Sequence, residues 1–218
     1  MNEFKRRYNF SDRCLTFSAS VLTVLLVIVT FVPSITPQNI VKNALAVSNN
    51  NTSSKIASQK FLVYQNDTYG ISIQYPASWS SSGGEGGNDS ADSSVDLISF
   101  SPPNNNNSDS ATVDLLVDNV DSGVSIQQYM SDSISSDKTD LQSFKVDETT
   151  LNGTLAKLPA YKFLYTYTDQ GQNFKGLETG TIVGNKAYYI QYENSPAQFN
   201  TDLPVVQEMI DSIKIVRK

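Results

Sequence analysis

Hydrophobic and polar positions alternate most regularly between residues 158 and 194, in the stretch LPAYKFLYTYTDQGQNFKGLETGTIVGNKAYYIQYEN. Its first part carries an aromatic ring at every second position, namely at Tyr161, Phe163, Tyr165 and Tyr167. A period of two residues is that of a β-strand. The segments at 169–173 and 183–186 have the length of hairpin turns. The stretch therefore predicts three consecutive antiparallel strands at the centre of a sheet.

Shorter alternating segments on either side of this stretch predict further elements. Strands are expected at 61–64, 69–75, 95–101, 111–120 and 141–151. Asn152-Gly153 is expected to turn the last of these toward the central sheet. Ser125 is a suitable N-cap for one helix, and Asp202 for a final helix whose apolar residues recur at helical spacing. The pattern indicates an α+β fold with helices laid against an antiparallel sheet.

The first 46 residues differ from the rest of the chain. Basic residues are frequent in 1–13, and an uncharged apolar run follows at 14–32. Positive charges ahead of such a run direct the remainder of the chain out of the cytoplasm. The run approaches the ~20 residues that cross a bilayer. Ala44-Leu45-Ala46 fits a cleavage site but lies beyond the run, so a cleaved signal peptide and a retained signal-anchor both stay open.

The domain organisation follows from these boundaries. Residues 47–60 are rich in Ser and Asn and predict a flexible linker. A single globular domain is then expected over residues 61–218. The predicted location is extracytoplasmic, either secreted or anchored to the cytoplasmic membrane by the N-terminal helix.

Cysteine usage and glycosylation triplets agree with export. The single cysteine is Cys14, so the exported part has neither a disulfide nor a thiolate metal site. Asn-x-Ser/Thr triplets permit surface glycosylation in an exported protein. In the exported part they begin at Asn50, Asn51, Asn66, Asn88, Asn106 and Asn152.

The charge of the exported part restricts its partners. Residues 47–218 contain 11 basic and 20 acidic side chains, a net charge of −9. A domain of this sign repels phosphate backbones, which excludes nucleic acid as a partner. A membrane-bound protein complex or a small ligand remains as the expected partner.

Catalysis by the commonest groups is excluded, because the chain contains no histidine. Histidine-based triads and most zinc, copper and iron sites are therefore absent. No carboxylate pair is placed in a pattern that indicates a hydrolase, which ranks last among the hypotheses. The sequence predicts a protein that is not an enzyme.

Calcium is the one cofactor that the acidic residues leave open. Two groups of aspartates stand near Asn and Ser side chains, the first at Asp89, Asp92 and Asp96 and the second at Asp114, Asp118 and Asp121. Neither group has the spacing of a calcium loop with its bidentate glutamate. Asp114 and Asp118 are expected on the solvent face of a strand.

Aromatic residues provide the candidate binding surface. Rings offer a large contact area at low entropic cost, and could stack against a partner or a ligand. The alternative is packing in the core beneath the helices, and a core or lid position is expected for the only tryptophan. The candidate surface residues are Trp79, Tyr161, Tyr165, Tyr167, Tyr188 and Tyr192.

The order of several segments resembles the PsbP family, whose namesake is an extrinsic protein of the photosystem II oxygen-evolving complex. The segments are YGISIQYPASW, FSPP, ATVDLLV, SIQQYM, LPAYKFLYTYT, GNKAYYIQYEN and LPVVQEMIDSI. The resemblance extends from about Phe61 to Val216. It implies an α-β-α sandwich around an antiparallel sheet.

The same resemblance implies a non-catalytic role. PsbP relatives bind at the membrane surface of photosystem II and help to retain calcium and chloride. Their metal-linked histidines have no counterpart in this chain, so no metal-binding residue is carried over. The resulting hypothesis is an exported accessory or docking domain, with a protein that binds a small ligand or calcium as the alternative.

Overall fold

The computed structural model describes residues 59–83, 94–103 and 111–216. Its strands are β1 Phe61–Asn66, β2 Ile71–Pro76, β3 Ser80–Ser82, β4 Val95–Ser101, β5 Thr112–Asn119, β6 Gln142–Leu155, β7 Leu158–Asp169, β8 Gln172–Val183, β9 Lys186–Asn194 and β10 Lys214–Ile215. Its helices are α1 Ile126–Asp140 and α2 Phe199–Asp211. Neither of these two helices has the length and apolar character needed to span a bilayer. The predicted signal segment 1–46 and nearly all of the linker 47–60 lie outside the described residues.

The strands form two antiparallel sheets. The larger sheet has seven strands in the order β3-β4-β5-β9-β8-β7-β6, and the smaller has three in the order β1-β2-β10. The three central strands predicted from the alternating pattern are confirmed as β7, β8 and β9. Because the sheet is antiparallel and carries two helices, the α+β class is confirmed.

Alternate residues of β9 pack into two different hydrophobic cores. Tyr188 and Tyr192 belong to the core that contains Val206 of α2, which we call the α2-side core. Tyr189 belongs to the core that contains Tyr129 of α1, which we call the α1-side core. This division follows from the pleat, which directs successive side chains to opposite faces.

The sequence predicted the N-cap of α1 correctly and that of α2 incorrectly. Ser125 is the N-cap of α1, where its side chain accepts a hydrogen bond from the backbone N–H of Gln128 at 3.1 Å. The prediction of Asp202 as the cap of α2 is wrong, because the helix begins earlier and its N-cap is Gln198. The Asp202 carboxylate instead accepts a hydrogen bond from the Asn194 side chain at 3.1 Å.

The predicted turn at Asn152-Gly153 is also wrong. Strand β6 continues to Leu155, and the chain reverses at Ala156 and Lys157, which both have positive φ. Thr150 pairs with Lys162 and Gly153 pairs with Ala160, so Leu151 and Asn152 together lie opposite Tyr161 alone. The Asn-Gly pair therefore belongs to a β-bulge, in which one strand contributes an extra residue.

Candidate functional site

The six candidate surface residues lie in the interior of the domain. Their exposed fractions are 8% for Trp79, 0% for Tyr161, 0% for Tyr165, 3% for Tyr167, 5% for Tyr188 and 0% for Tyr192. They are also divided between the two cores, with Tyr161, Tyr165 and Tyr167 on the α1 side and the others on the α2 side. The idea that they form one partner-binding surface is wrong, since helices and the smaller sheet cover both faces. These residues pack in the core, as the alternative prediction stated.

Carboxylates beneath the α1-side rings are the feature that sequence reasoning missed. The Tyr161 hydroxyl donates to Glu178 at 2.6 Å. The hydroxyls of Tyr165 and Tyr167 donate to the two oxygens of Glu193 at 2.7 and 2.9 Å. Hydrogen bonds to charged acceptors are stronger than neutral ones, so each phenol is held firmly in the core.

Asp118 extends the same arrangement to helix α1. It accepts hydrogen bonds from the hydroxyls of Tyr129 on α1 and Tyr189 on β9, the latter at 3.1 Å. Its expected position on the solvent face is wrong, because only 2% of it is exposed. We call the set of residues joined in this way the tyrosine–carboxylate network. Its members are Tyr129, Tyr161, Tyr165, Tyr167, Tyr189, Asp118, Glu178 and Glu193.

Two glycines in β8 make room for the rings of the network. Gly176 pairs with Tyr165 and Gly180 pairs with Tyr161. A methyl group at Gly176 would overlap the Tyr165 ring, and one at Gly180 would lie 2.7 Å from the Tyr161 ring. Since Gly176 also pairs with Glu193 on β9, the Tyr165 ring crosses over the glycine to reach that carboxylate. Glycine within a strand is the sequence signal for such a close approach.

The network is an internal set of hydrogen bonds in which carboxylates serve as acceptors. Glu178 accepts a second hydrogen bond from the Gln191 side chain at 2.8 Å. Asp114, from the second aspartate group, accepts one from the Ser99 hydroxyl. Within residues 59–83, 94–103 and 111–216, no three acidic or other metal-ligating side chains cluster as a metal site would require. Asp89 and Asp92 lie outside these residues, and calcium binding stays a prediction.

An open depression of about 350 Å³ lies at one end of the larger sheet. It is lined by Ser143, Thr166, Tyr167, Thr168, Asn173, Phe174 and Pro196. The rings of Tyr167 and Phe174 stack on each other 5.2 Å apart and pack in the α1-side core. The depression therefore offers hydroxyl and amide groups without a charged side chain, which gives a ligand little to recognise.

Burial makes three tyrosines poor acids. Removal from water, reinforced by the adjacent Glu193 carboxylate, raises the pKa of Tyr167. Burial likewise raises the pKa of Tyr188, and it raises that of Tyr192 even though Asn194 donates a hydrogen bond to its hydroxyl. In the folded state these phenols therefore remain neutral at a pH where ordinary phenols, with a pKa of about 10, ionise.

We expect the domain to unfold cooperatively in alkali. The raised pKa values stabilise the fold fully below about pH 10, and this contribution is lost as pH rises, because only the unfolded chain can then release these protons. Absorbance at 295 nm, which reports phenolate, should rise together with loss of the far-ultraviolet circular dichroism of the sheet. If all phenols ionised near pH 10 while the sheet remained intact, the buried environment of these tyrosines would be contradicted.

The sequence profile of the PsbP-like protein family matches residues 19–215. The chain belongs to the PsbP-like family. The predicted resemblance is therefore confirmed. No curated protein matches the sequence.

Two solved structures share the fold of this chain. Cyanobacterial PsbP (CyanoP) from Synechocystis sp. PCC 6803 matches with a TM-score of 0.54 and 10% identity, over 72% of this chain and 92% of that one. LpqN, involved in cell envelope biogenesis of Mycobacterium tuberculosis, matches with a TM-score of 0.53 and 10% identity, over 75% of this chain and 96% of that one. At such low identity the likeness concerns the fold alone.

Proposed function

We propose that this PsbP-like protein is a non-catalytic accessory domain that docks onto a membrane-bound protein complex at the outer face of the cytoplasmic membrane. The tyrosine–carboxylate network is the observation that carries the proposal. Its carboxylates Asp118 and Glu178 are buried, and both accept tyrosine hydroxyl hydrogen bonds. Groups engaged in this way support a rigid scaffold rather than proton transfer to a substrate.

The docking surface of this proposal is the outer edge of β1. Among the described strands, β1 pairs only with β2, in a register without interruption. Leu62 and Val63 on β1 are 39% and 63% exposed, and the strand carries no charged residue. An unpaired, regular and apolar edge can accept an additional strand from another protein.

The opposite edge of the larger sheet has the features that prevent such pairing. Strand β6 pairs only with β7, and three shifts of register interrupt this pairing. It also carries the exposed charges of Lys145, Asp147 and Glu148. Bulges and charges on edge strands discourage the addition of another chain. The partner is therefore proposed to be an extended, largely uncharged segment that binds β1.

Substitution of one exposed leucine on each edge tests the proposal. Leu62→Lys on β1 should abolish migration with a larger complex on native gels of gently solubilised membranes, because it places a charge at the docking edge. Leu151→Lys on β6 is the matched control, since Leu151 is 40% exposed, and it should leave the complex intact. Wild-type protein that migrates as a monomer, or Leu62→Lys protein that stays in the complex, would contradict the proposal.

We infer that the helices and sheet form the α-β-α sandwich implied by the PsbP resemblance, since alternate residues of β9 pack beneath different helices. We also propose that the N-terminal segment carries the domain across the membrane and, if it is not cleaved, anchors it there. Mass spectrometry of the N-terminus of protein isolated from membranes distinguishes a start near residue 47 from a retained anchor.

A further inference from the structure

Two of the six Asn-x-Ser/Thr triplets in residues 47–218 have their asparagine among the described residues, and they differ in their surroundings. They begin at Asn66, the last residue of β1, and at Asn152 in the bulge of β6. N-glycosylation requires that the side-chain amide nitrogen reach the transferring enzyme, so the surroundings of each amide decide whether the folded protein is an acceptor.

The amide of Asn66 is engaged within the fold. Its nitrogen donates to the Tyr64 hydroxyl at 3.2 Å, and its oxygen accepts from the backbone N–H of Tyr69 at 3.1 Å. Tyr64 in turn donates to the Leu97 carbonyl at 3.1 Å, which ties β1 to the larger sheet. A sugar on Asn66 would have to displace the contact with Tyr64. The folded domain therefore disfavours modification at this position.

Asn152 has the opposite environment. It is exposed, and its side chain makes no hydrogen bond with any described residue. The bulge removes it from regular pairing with β7, and the outer side of β6 has no neighbouring strand in the described part of the chain. The hydroxyl-bearing residue of the triplet, Thr154, is exposed as well. Both groups that a glycosyltransferase must recognise are accessible together.

We propose that Asn152 is an N-glycosylation site of the folded domain and that Asn66 is not. In the transfer, the amide nitrogen of Asn152 forms a bond to the anomeric carbon of a lipid-linked oligosaccharide. The bond from that carbon to the lipid phosphate breaks, the phosphate leaves with the bonding electrons, and one amide proton passes to water. The inference rests on the export proposed above, because such transfer takes place outside the cytoplasm.

A glycan at this position also has a structural consequence. It would cover Leu151, which lies beside Asn152 in the bulge and is 40% exposed. Together with the shifts of register, it would block strand addition along β6. Docking would then be confined to β1.

Peptide mass spectrometry of full-length protein from the membranes of its source organism tests the inference. The peptide that contains Asn152 should carry a glycan, and the peptide that contains Asn66 should have its unmodified mass. Asn152→Gln and Thr154→Ala should both remove the glycan at residue 152, because either change destroys the triplet. Asn66→Gln is the matched control and should leave glycosylation at Asn152 unchanged.

Labelling of intact cells with a membrane-impermeant amine reagent separates this inference from the proposed location. Labelled protein with an unmodified Asn152 would overturn the inference and leave export standing. Protein that is not labelled would overturn export and the inference with it. A glycan on Asn66 in folded protein would contradict the distinction between the two triplets.

Discussion

Replacing Gly176 with alanine is expected to destabilise the domain by about 2.5–6 kcal/mol, or to prevent folding. The added methyl group would overlap the Tyr165 ring, so the ring must leave its place. Overpacking of a core costs about 1–3 kcal/mol. The displaced ring also loses its hydrogen bond to the Glu193 carboxylate, and a hydrogen bond to a charged group contributes about 1.5–3 kcal/mol. Urea denaturation followed by circular dichroism measures the loss.

Gly153→Ala provides the matched control for this change. Gly153 also lies in a strand, but a methyl group there would meet only the Ala160 carbonyl oxygen, at an ordinary contact distance of 3.6 Å. Its effect should be within about 1 kcal/mol of zero. Equal losses in the two variants would show that strand glycines are generally sensitive and would contradict the specific role of Gly176 beneath Tyr165.

Glu178→Leu should have the second large effect. Glu178 is fully buried and accepts hydrogen bonds from the Tyr161 hydroxyl and the Gln191 amide. Leucine would remove the carboxylate that accepts both hydrogen bonds, and each hydrogen bond to a charged group contributes about 1.5–3 kcal/mol. We therefore expect a loss of about 3–6 kcal/mol in the free energy of unfolding, measured by the same denaturation experiment.

Two further variants test whether the lost hydrogen bonds cause the destabilisation by Glu178→Leu. Glu148→Leu removes an exposed strand glutamate on β6 and should change stability little. Adding Tyr161→Phe to Glu178→Leu removes one of the two donors that lose the Glu178 carboxylate and should recover part of the lost stability. Suppose that Glu178→Leu lowered the free energy of unfolding no more than Glu148→Leu, or that adding Tyr161→Phe lowered it further. Glu178 would then not stabilise the fold as the acceptor for Tyr161.

Much of the fold could be predicted from local pattern. The period of two residues in β7 and β9 identified both strands, and the side chain of Ser125 identified the start of α1. The errors arose where tertiary contacts overrode a local signal. Asn152-Gly153 is a common turn sequence, but pairing with β7 continues beyond it. Asp202 is a common N-cap, but here its carboxylate binds Asn194.

The site was less predictable, because burial and pairing partners are not local properties. The candidate tyrosines of each strand were assigned to one face of that strand, but the sequence does not show that both faces of the sheet are covered. Glu178 and Asp118 resemble ordinary surface acids in the sequence, although the structure places them under tyrosine hydroxyls. Gly176 and Gly180 carried a usable signal, since two glycines four residues apart within a strand indicate close approach of side chains from the next strand.

The unequal edges of the two sheets limit how this protein can assemble. Strands β3 and β10 are only three and two residues long, and β6 is interrupted along its length. Among the described strands, β1 is therefore the one edge strand with several consecutive backbone N–H and C=O groups that can pair with another chain. When a second molecule pairs with β1, no comparable edge strand remains among the described strands for a third molecule. Self-association through backbone pairing would accordingly stop at pairs and would not propagate into fibrils, even in concentrated solution.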